Sequence, residues 1–398
     1  MKNFCIKFLT LIITVIISSL SVFADTDDIY KFCFVEDTKT KKEFARTIVP
    51  DDFIVSTSVK WERDYENPVS LTILAQSKDK TTSFLYSSAK TYVDSYADVQ
   101  NVSSPIDTVF LTEKRAFAFP QEFVKELISA NNPNAQEVVL VSSFESPEPI
   151  KDYLMSEMLK KMDDLKTEAK SDRRFSKVSI GNPYFQPFAS TYSYTLNNQT
   201  YKQTVIAMIS SFDYEFTKKT SVGKFEKFPM KLWFVSDLYV LKAKETDYDK
   251  YYEKFIIFVA NTMINRKAEN SLRLVKQQMK MELSPTYVDV HTGSNLKNLP
   301  SDLFNRYYEG GLPLYQEDKD MPMQKPSLQQ VRWFTNVIYP QNRYKFVKLP
   351  TLWNQPVYVP QKYQCVYFDK VNNRFALGTT MKEHGKGWVH LILSNIIN

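Results

Sequence analysis

The sequence predicts an α+β protein: an antiparallel sheet flanked by helices, then a helical connector and a small antiparallel β module. Three observations carry this. Phe, Tyr and Trp make up 14% of the 398 residues, and such side chains fit the half-buried faces of strands. Glycine is scarce, 8 residues in the whole chain against an ordinary share of roughly 7%, while paired asparagines stand where tight hairpins need positive φ. Segments of alternating polarity are interrupted by a few stretches with apolar residues at helical spacing.

The chain opens MKNFCIKFLTLIITVIISSLSVFADTDD. Lys2 and Lys7 precede an apolar run, and Val22-Phe23-Ala24 places small residues at the −3 and −1 positions of a cleavage site, so residues 1–24 read as a secretory signal peptide with Asp25 as the mature N-terminus. An uncleaved anchor helix is the competing reading, disfavoured because the run is short for a bilayer span.

After an acidic leader, TIVPDDFIVSTSVKW predicts two strands around Pro50-Asp51-Asp52, and further strands follow at about 69–76 and 82–87. FPQEFVKELISANNP carries Phe123, Leu127 and Ile128 at helical spacing until Asn131-Asn132-Pro133 stops it, and QEVVLVSSF resumes as strand. The next helix begins near Pro149 with Ile150, Leu154, Met158, Met162 and Leu165 on one face, a methionine stripe that reads as core. Strands at Phe188–Tyr194 and Tyr201–Ile209 flank Asn197-Asn198, KFPMKLWFVSDLYVLKA continues the sheet, and Thr246 or Asp247 caps a helix bearing Phe255, Ile256 and Val259. The domain so predicted spans 25–266. Residues 267–326 read as a connector projecting from it, irregular after Ser284 except for a short helix in SDLFNRYYEGG. Residues 327–398 read as a small basic module: the helix SLQQVRWFTNVI, then strands RYKFVKL, QPVYVP, QCVYF, RFALG and WVHLIL, with Asn372-Asn373 as a second hairpin turn.

Several chemistries have no carrier. No G-x-G-x-x-G or G-x-x-x-x-G-K-[ST] is present to wrap a phosphate, nor a G-x-S-x-G elbow or H-E-x-x-H. Two of the three histidines, His384 and His390, lie in MKEHGKGWVHLIL. Two ligands do not close a metal site, and His291 is far off in the chain, so the stretch reads as a hairpin turn and neither a metal nor a cofactor is expected. The mature chain keeps Cys33 and Cys365, an exported pair that allows one disulfide without requiring it.

Charge is more informative. From Met321 to Asn398 there are ten Lys or Arg against Asp369 and Glu383, a surplus of eight, and residues 25–320 carry a deficit of four. A single-signed field on so small a module attracts polyanions, less so in high salt. The candidate polyanion-binding set is Arg332, Arg343, Lys345, Lys348, Lys362, Arg374, Lys382 and Lys386. The alternative is that these bases cover a solvated surface or face the acidic first domain. Tyr344, Trp353, Tyr358, Tyr363 and Trp388, interleaved with them, read as core sooner than as platforms for sugar rings.

Together, VPDDFIVSTSVKW, SLTILAQSKDKTTSFLYSSAKTYVD, and KLWFVSDLYVLKA followed by DYDKYYEKFIIFVANTMI resemble the PsbP-like exported α/β/α sandwich over roughly residues 30–266. QPVYVPQKYQCVYFDKVNNRFALGTT…GWVHL, at 350–393, resembles the small β module that ends some bacterial exported proteins beginning with such a domain. The resemblance implies an accessory or binding protein without catalytic apparatus, and it transfers no ligand position.

The functional expectation is an exported, periplasmic or extracellular, non-enzymatic binding or accessory protein of the bacterial envelope. Its basic module would contact an envelope polyanion or a protein partner. Peripheral contact with anionic lipid is compatible with this, and nucleic acid is not a partner in vivo. Two alternatives stand beside it: an envelope hydrolase whose site joins Glu383 or Asp369 with His390, and a structural subunit of an envelope complex.

Overall fold

A hairpin of two very long strands, β9 (Lys177–Leu196) and β10 (Gln199–Lys219), is the spine of the sheet. At about 3.3 Å per residue each extends ~65 Å. Asn197 and Asn198 make the turn with φ of 52° and 60°, the left-handed pair that a two-residue hairpin loop demands and that asparagine tolerates. The computed structural model describes residues 28–62, 67–95, 113–145, parts of 155–167, 177–219, 223–282, 299–309, 344–348, 356–381 and 387–395. The signal segment, the start of the helix expected near Pro149, Gly310-Gly311 and the helix expected over 327–338 lie outside these residues.

The chain divides into two compact units, Phe32–Asn342 and a second made of Arg343–Asn398 with the N-terminal residues through Lys31. In the first, β3 (Ile54–Trp61), β4 (Val69–Gln76), β5 (Ser83–Ser87), β6 (Lys90–Ser95), β11 (Phe225–Val235) and β12 (Leu238–Lys244) join the spine. Across the sheet the order is β3, β4, β5 with β6 end to end, β12 with β11 end to end, β10, β9 and β8 (Gln136–Glu145). These pairings are antiparallel. The short β7 (Glu113–Lys114) adds to β6 in parallel. Val235 pairs with Ile209 and Tyr239 with Ile206, so one extra residue sits between β11 and β12. Ser236 fixes this bulge, its hydroxyl accepting from Met208 N at 2.8 Å and its own N–H donating to Met208 O at 2.9 Å, the usual ladder repair at such an insertion.

Both sheet faces carry core. Tyr92, Val205, Ile209, Trp233 and Val235 lie on one face and pack with Phe123, Val124 and Ile128 of helix α1 (Pro120–Asn131). Phe212, Tyr214, Met230 and Leu232 face the other way and pack with Met158 and Met162, which lie among helical residues between 155 and 167. The methionine stripe is therefore core where it is described. On that second face α2 (Tyr248–Ala260) brings Phe255 and Phe258 to 5.6 and 5.7 Å from Phe84. Neither Thr246 nor Asp247 caps α2 with its side chain. A 3-10 turn at Glu245–Asp247 precedes the helix and puts Asp247 in helical dihedrals (φ −109°, ψ −4°), not the extended geometry of a capping side chain.

The acidic leader forms β1 (Asp28–Glu36), which turns through 37–42 into β2 (Glu43–Pro50), and the short β13 (Met263–Ile264) pairs antiparallel with β2. Asp37 holds the turn by accepting from Thr40 N at 2.8 Å and Trp61 Nε1 at 3.1 Å. The described parts of the expected projecting connector, two helices, are packed on one another and belong to this unit. Helix α3 (Arg266–Glu282) lies against α4 (Leu299–Glu309), with Ala268, Val275, Met279, Leu303 and Phe304 buried. Phe304 stacks on Phe44 at 4.7 Å. The thin apolar stripe after Arg266 suffices because a single facing helix covers it. No helix among the described residues is long and apolar enough to cross a membrane.

In the second unit, Asp28–Lys31 of β1 pairs with β17 (Arg374–Gly378), and β16 (Cys365–Asp369) and β18 (Trp388–Leu391) follow. The order in a further small sheet is β15 (Pro356–Pro360), β14 (Tyr344–Lys348), β19 (Leu393–Asn395). The expected strand WVHLIL is thus two strands. Ile392, 83% exposed, is the point where the chain leaves one sheet for the other.

Two carboxylates lock hairpins. Asp79, between β4 and β5, accepts from Ser77 Oγ, Thr81 N and Thr81 Oγ1. Asp369 accepts from Val371 N, Asn372 N, Asn372 Nδ2 and Arg374 Nε. These donors, chiefly the Ser77 hydroxyl and the Asn372 amide, hold both groups down to a pKa of about 2. A folded pKa below the ordinary 3.8 means stabilisation that is complete above 3.8 and lost as pH falls toward 2. Asp79→Asn and Asp369→Asn should each lower the urea midpoint at pH 7. That deficit should shrink between pH 4 and pH 2; a constant deficit would count against the carboxylate's role.

Candidate binding surfaces

The basic set is only partly gathered. Lys345 and Lys348 are on β14, and Lys362 is an exposed turn residue whose ammonium lies 5.0 Å from the Tyr363 ring centre. Arg374 is engaged within the fold: its Nε is 3.0 Å from Asp369 Oδ2, and its guanidinium lies 5.6 Å from the Trp388 ring centre. Arg332, Arg343, Lys382 and Lys386 lie outside the described residues. Tyr358 and Tyr363 are buried, and Trp388 packs against Cys365, Tyr367 and Ala376, as a small core requires. The side chains of Tyr344 and Trp353 are not among those described.

His390 is exposed on β18, its ring 5.2 Å from Tyr367. His384, His291 and Glu383 fall outside the described residues. The Asp369 carboxylate spends its oxygens on its own turn and on Arg374, which leaves the Asp369–His390 version of a hydrolase site without its orienting hydrogen bond. Cys33 and Cys365 are both buried in the thiol form, so the bridge the sequence allows is not made in this structure. Among the described residues no three His, Cys, Asp or Glu side chains are grouped as a metal ion would need.

The densest cluster of chemistry lies elsewhere, in the strap Arg115–Phe119 between β7 and α1. It is pinned to the sheet at three points. Arg115 N donates to Val93 O at 3.0 Å, Phe117 N to Asp94 Oδ2 at 2.9 Å, and Trp233 Nε1 to Arg115 O at 3.0 Å. Pro120 opens α1, and Glu122 accepts from Phe119 N at 3.1 Å, a carboxylate where the helix dipole favours one.

Held in this way, the Arg115 guanidinium sits 5.1 Å from the ring centre of Phe123, 5.3 Å from Tyr92 and 5.6 Å from Trp233, within the range of cation–π attraction. Its Nη2 donates to Glu126 Oε2 at 2.6 Å. Burial opposes its charge, but the Glu126 carboxylate and the Tyr92 hydroxyl outweigh that, so its pKa stands above the ordinary guanidinium value. Beside it, Phe117, Phe119 and Tyr184 meet edge to face at 5.1 to 5.6 Å. Phe119 is 53% exposed, which makes this an apolar surface next to a fixed cation. The sequence signal was RAFAFP, an arginine and two aromatics at alternate positions before a helix-opening proline. It has no meaning until Tyr92, Tyr184 and Trp233 arrive from three other strands.

Three other buried polar clusters close on themselves. Tyr248 meets Thr191 and Thr204, and Tyr194 donates to Gln203 at 3.2 Å. Lys242, whose pKa burial lowers, donates to Asn132 Oδ1 at 2.6 Å. These satisfy atoms that folding has taken from water. No family model matches the chain, and no curated protein matches it.

Proposed function

We propose that the chain is an exported, non-enzymatic binding or accessory protein of the bacterial envelope. On this reading the unit Phe32–Asn342 is a PsbP-like sandwich, and the other unit contacts an envelope polyanion. Helices packed on both faces of one antiparallel sheet support the first part. The second rests on a single observation: positive charge is collected in one compact unit. Residues 343–398 hold eight Lys or Arg against two Asp or Glu, and residues 25–31 add Lys31 against Asp25, Asp27 and Asp28, which leaves the unit a surplus of four positive charges. Asp369 neutralises Arg374, so Lys345, Lys348, Lys362 and Lys370 carry the contact among the described residues.

The test is co-sedimentation of the chain starting at Asp25 with phosphatidylglycerol vesicles, phosphatidylcholine vesicles and wall fragments. Salt would run from about 0.01 to about 1 M, where the screening length falls from ~30 to ~3 Å. Binding should be confined to the anionic surfaces, disappear at high salt, and weaken when Lys345, Lys348 and Lys362 are changed together to Gln. No binding at low salt, or binding indifferent to salt, would sink the reading.

A further inference from the structure

We propose that the Arg115 strap is a docking site for an acidic segment of a partner protein, in which an Asp or Glu lies beside an aromatic or aliphatic side chain. The site belongs to the unit Phe32–Asn342 and stands or falls independently of the polyanion reading.

The argument begins with what Arg115 lacks. Three aromatic rings orient its guanidinium and the Tyr92 hydroxyl accepts from it, but the rings themselves accept no strong hydrogen bonds, and an arginine carries five N–H donors in a fixed fork. Its carboxylate partner among the described residues is Glu126, which is 57% exposed against 28% for Arg115 itself. A water-exposed ion pair contributes little, so a second carboxylate can displace Glu126 at small cost. The replacement gains if it arrives with apolar surface that excludes water, since desolvation strengthens the charged hydrogen bonds. That apolar surface has its counterpart in Phe119, Phe117 and Tyr184.

The openness of the patch decides between ligand classes. A small molecule is held in a cleft that buries most of it, whereas a half-exposed Phe119 beside an exposed Glu126 forms a shallow surface. Arginine and aromatic anchors on a preorganised, shallow surface are the composition of protein interface hot spots. Preorganisation is explicit here. The backbone of the strap is tied to Val93, Asp94 and Trp233, so ordering costs on binding are already met. The nearby cation Lys231, 5.2 Å from the Phe117 ring centre, is held by Asp213 in a pair more buried than Arg115–Glu126 and so harder to displace, and Asp94 is engaged by Phe117 N. Arg115 is therefore the charge that selects the partner.

The probe is a displayed library of random dodecapeptides selected against the full chain, with the enriched peptides resynthesised and measured by fluorescence anisotropy. Enriched peptides should share an Asp or Glu next to an aromatic or aliphatic residue, and should bind at least tenfold more weakly when that acid becomes Asn or Gln. Arg115→Lys, which keeps the charge but loses the fork, should abolish the preference for acid over amide. Phe119→Ala should weaken binding with an unchanged unfolding midpoint. Glu126→Gln should strengthen binding several-fold, because it removes the internal competitor, a gain that a purely structural ion pair would not give. Failure of the library to enrich, enrichment without acidic residues, or weaker binding by Glu126→Gln would each overturn the proposal. So would a self-associating chain whose Arg115 patch is protected by a second copy.

Discussion

Trp233→Ala is expected to lower the unfolding free energy by about 3–5 kcal/mol, the range for truncating a large aromatic in a well-packed core. Trp233 is 0% exposed, stacks on Tyr92 at 4.5 Å, and meets Phe117 and Phe123 edge-on at 5.8 and 6.4 Å. It is also the donor to Arg115 O, so two effects are superimposed. Trp233→Phe separates them: it keeps most of the ring contact and loses the hydrogen bond, and should cost only about 1–2 kcal/mol. Urea unfolding at constant slope measures both variants. If the Phe variant cost as much as the Ala variant, the strap and not the packing would dominate this core. The strap's acid preference should vanish in Trp233→Ala, because the guanidinium loses one wall of its cage.

How much of this was legible depends on whether both faces of an element were buried. In β4, Val69, Leu71, Ile73 and Ala75 are buried and alternate with half-buried residues, and the alternation marked the strand in the sequence. In β9 and β10 the segments near the turn were readable, but the strands run on to Lys177 and Lys219. On one face of those ends Lys177 and Ser179 are exposed and their partners Thr217 and Glu215 half-buried, so hydrophobic patterning understates them. The pairing of the leader is hidden for another reason. Tyr30 and Val35 are fully buried, but β1 serves two units: its first four residues pair with Leu377–Arg374, a partner more than three hundred positions away. Local sequence does not announce such a pairing.

The binding surfaces divide in the same way. A surplus of lysines in a short stretch is a property of composition and is visible at once. Its neutralisation is not, since Arg374 is lost to Asp369 through a turn whose geometry depends on Asn372 and on Asn373 at φ 52°. The Arg115 cage is the converse. Its members come from β6, the strap, α1, β9 and β11, and no spacing rule connects them. Only the register of β11 on β6, with Trp233 opposite Tyr92, brings them together.

Arg46→Met is expected to destabilise the chain by about 3–5 kcal/mol at pH 7, the range for removing one partner of a buried ion pair. Arg46 Nε lies 3.0 Å from Glu43 Oε1, and their side chains are only 14% and 20% exposed. Burial is the first cause of both pKa changes: it raises Glu43 from 4.5 and lowers Arg46 from 12.5 to about 10, each partly offset by the partner. For Glu43 the direction carries a sign. A carboxyl whose folded pKa is raised contributes stability that is complete below its unfolded value and lost as pH rises through the folded one. Without Arg46 the offset is gone and the loss deepens, so the deficit of Arg46→Met should be largest at neutral pH and shrink as pH falls through the raised folded pKa toward 4.5, where Glu43 has taken up its proton. Glu43→Gln takes the carboxylate from a buried guanidinium that stays charged at pH 7, so it too should destabilise the chain, and the double variant Glu43→Gln/Arg46→Met should lose less than the sum of the two single losses. A double variant that lost the full sum would mean that the two side chains act independently and that no uncompensated buried charge sets the cost of either change.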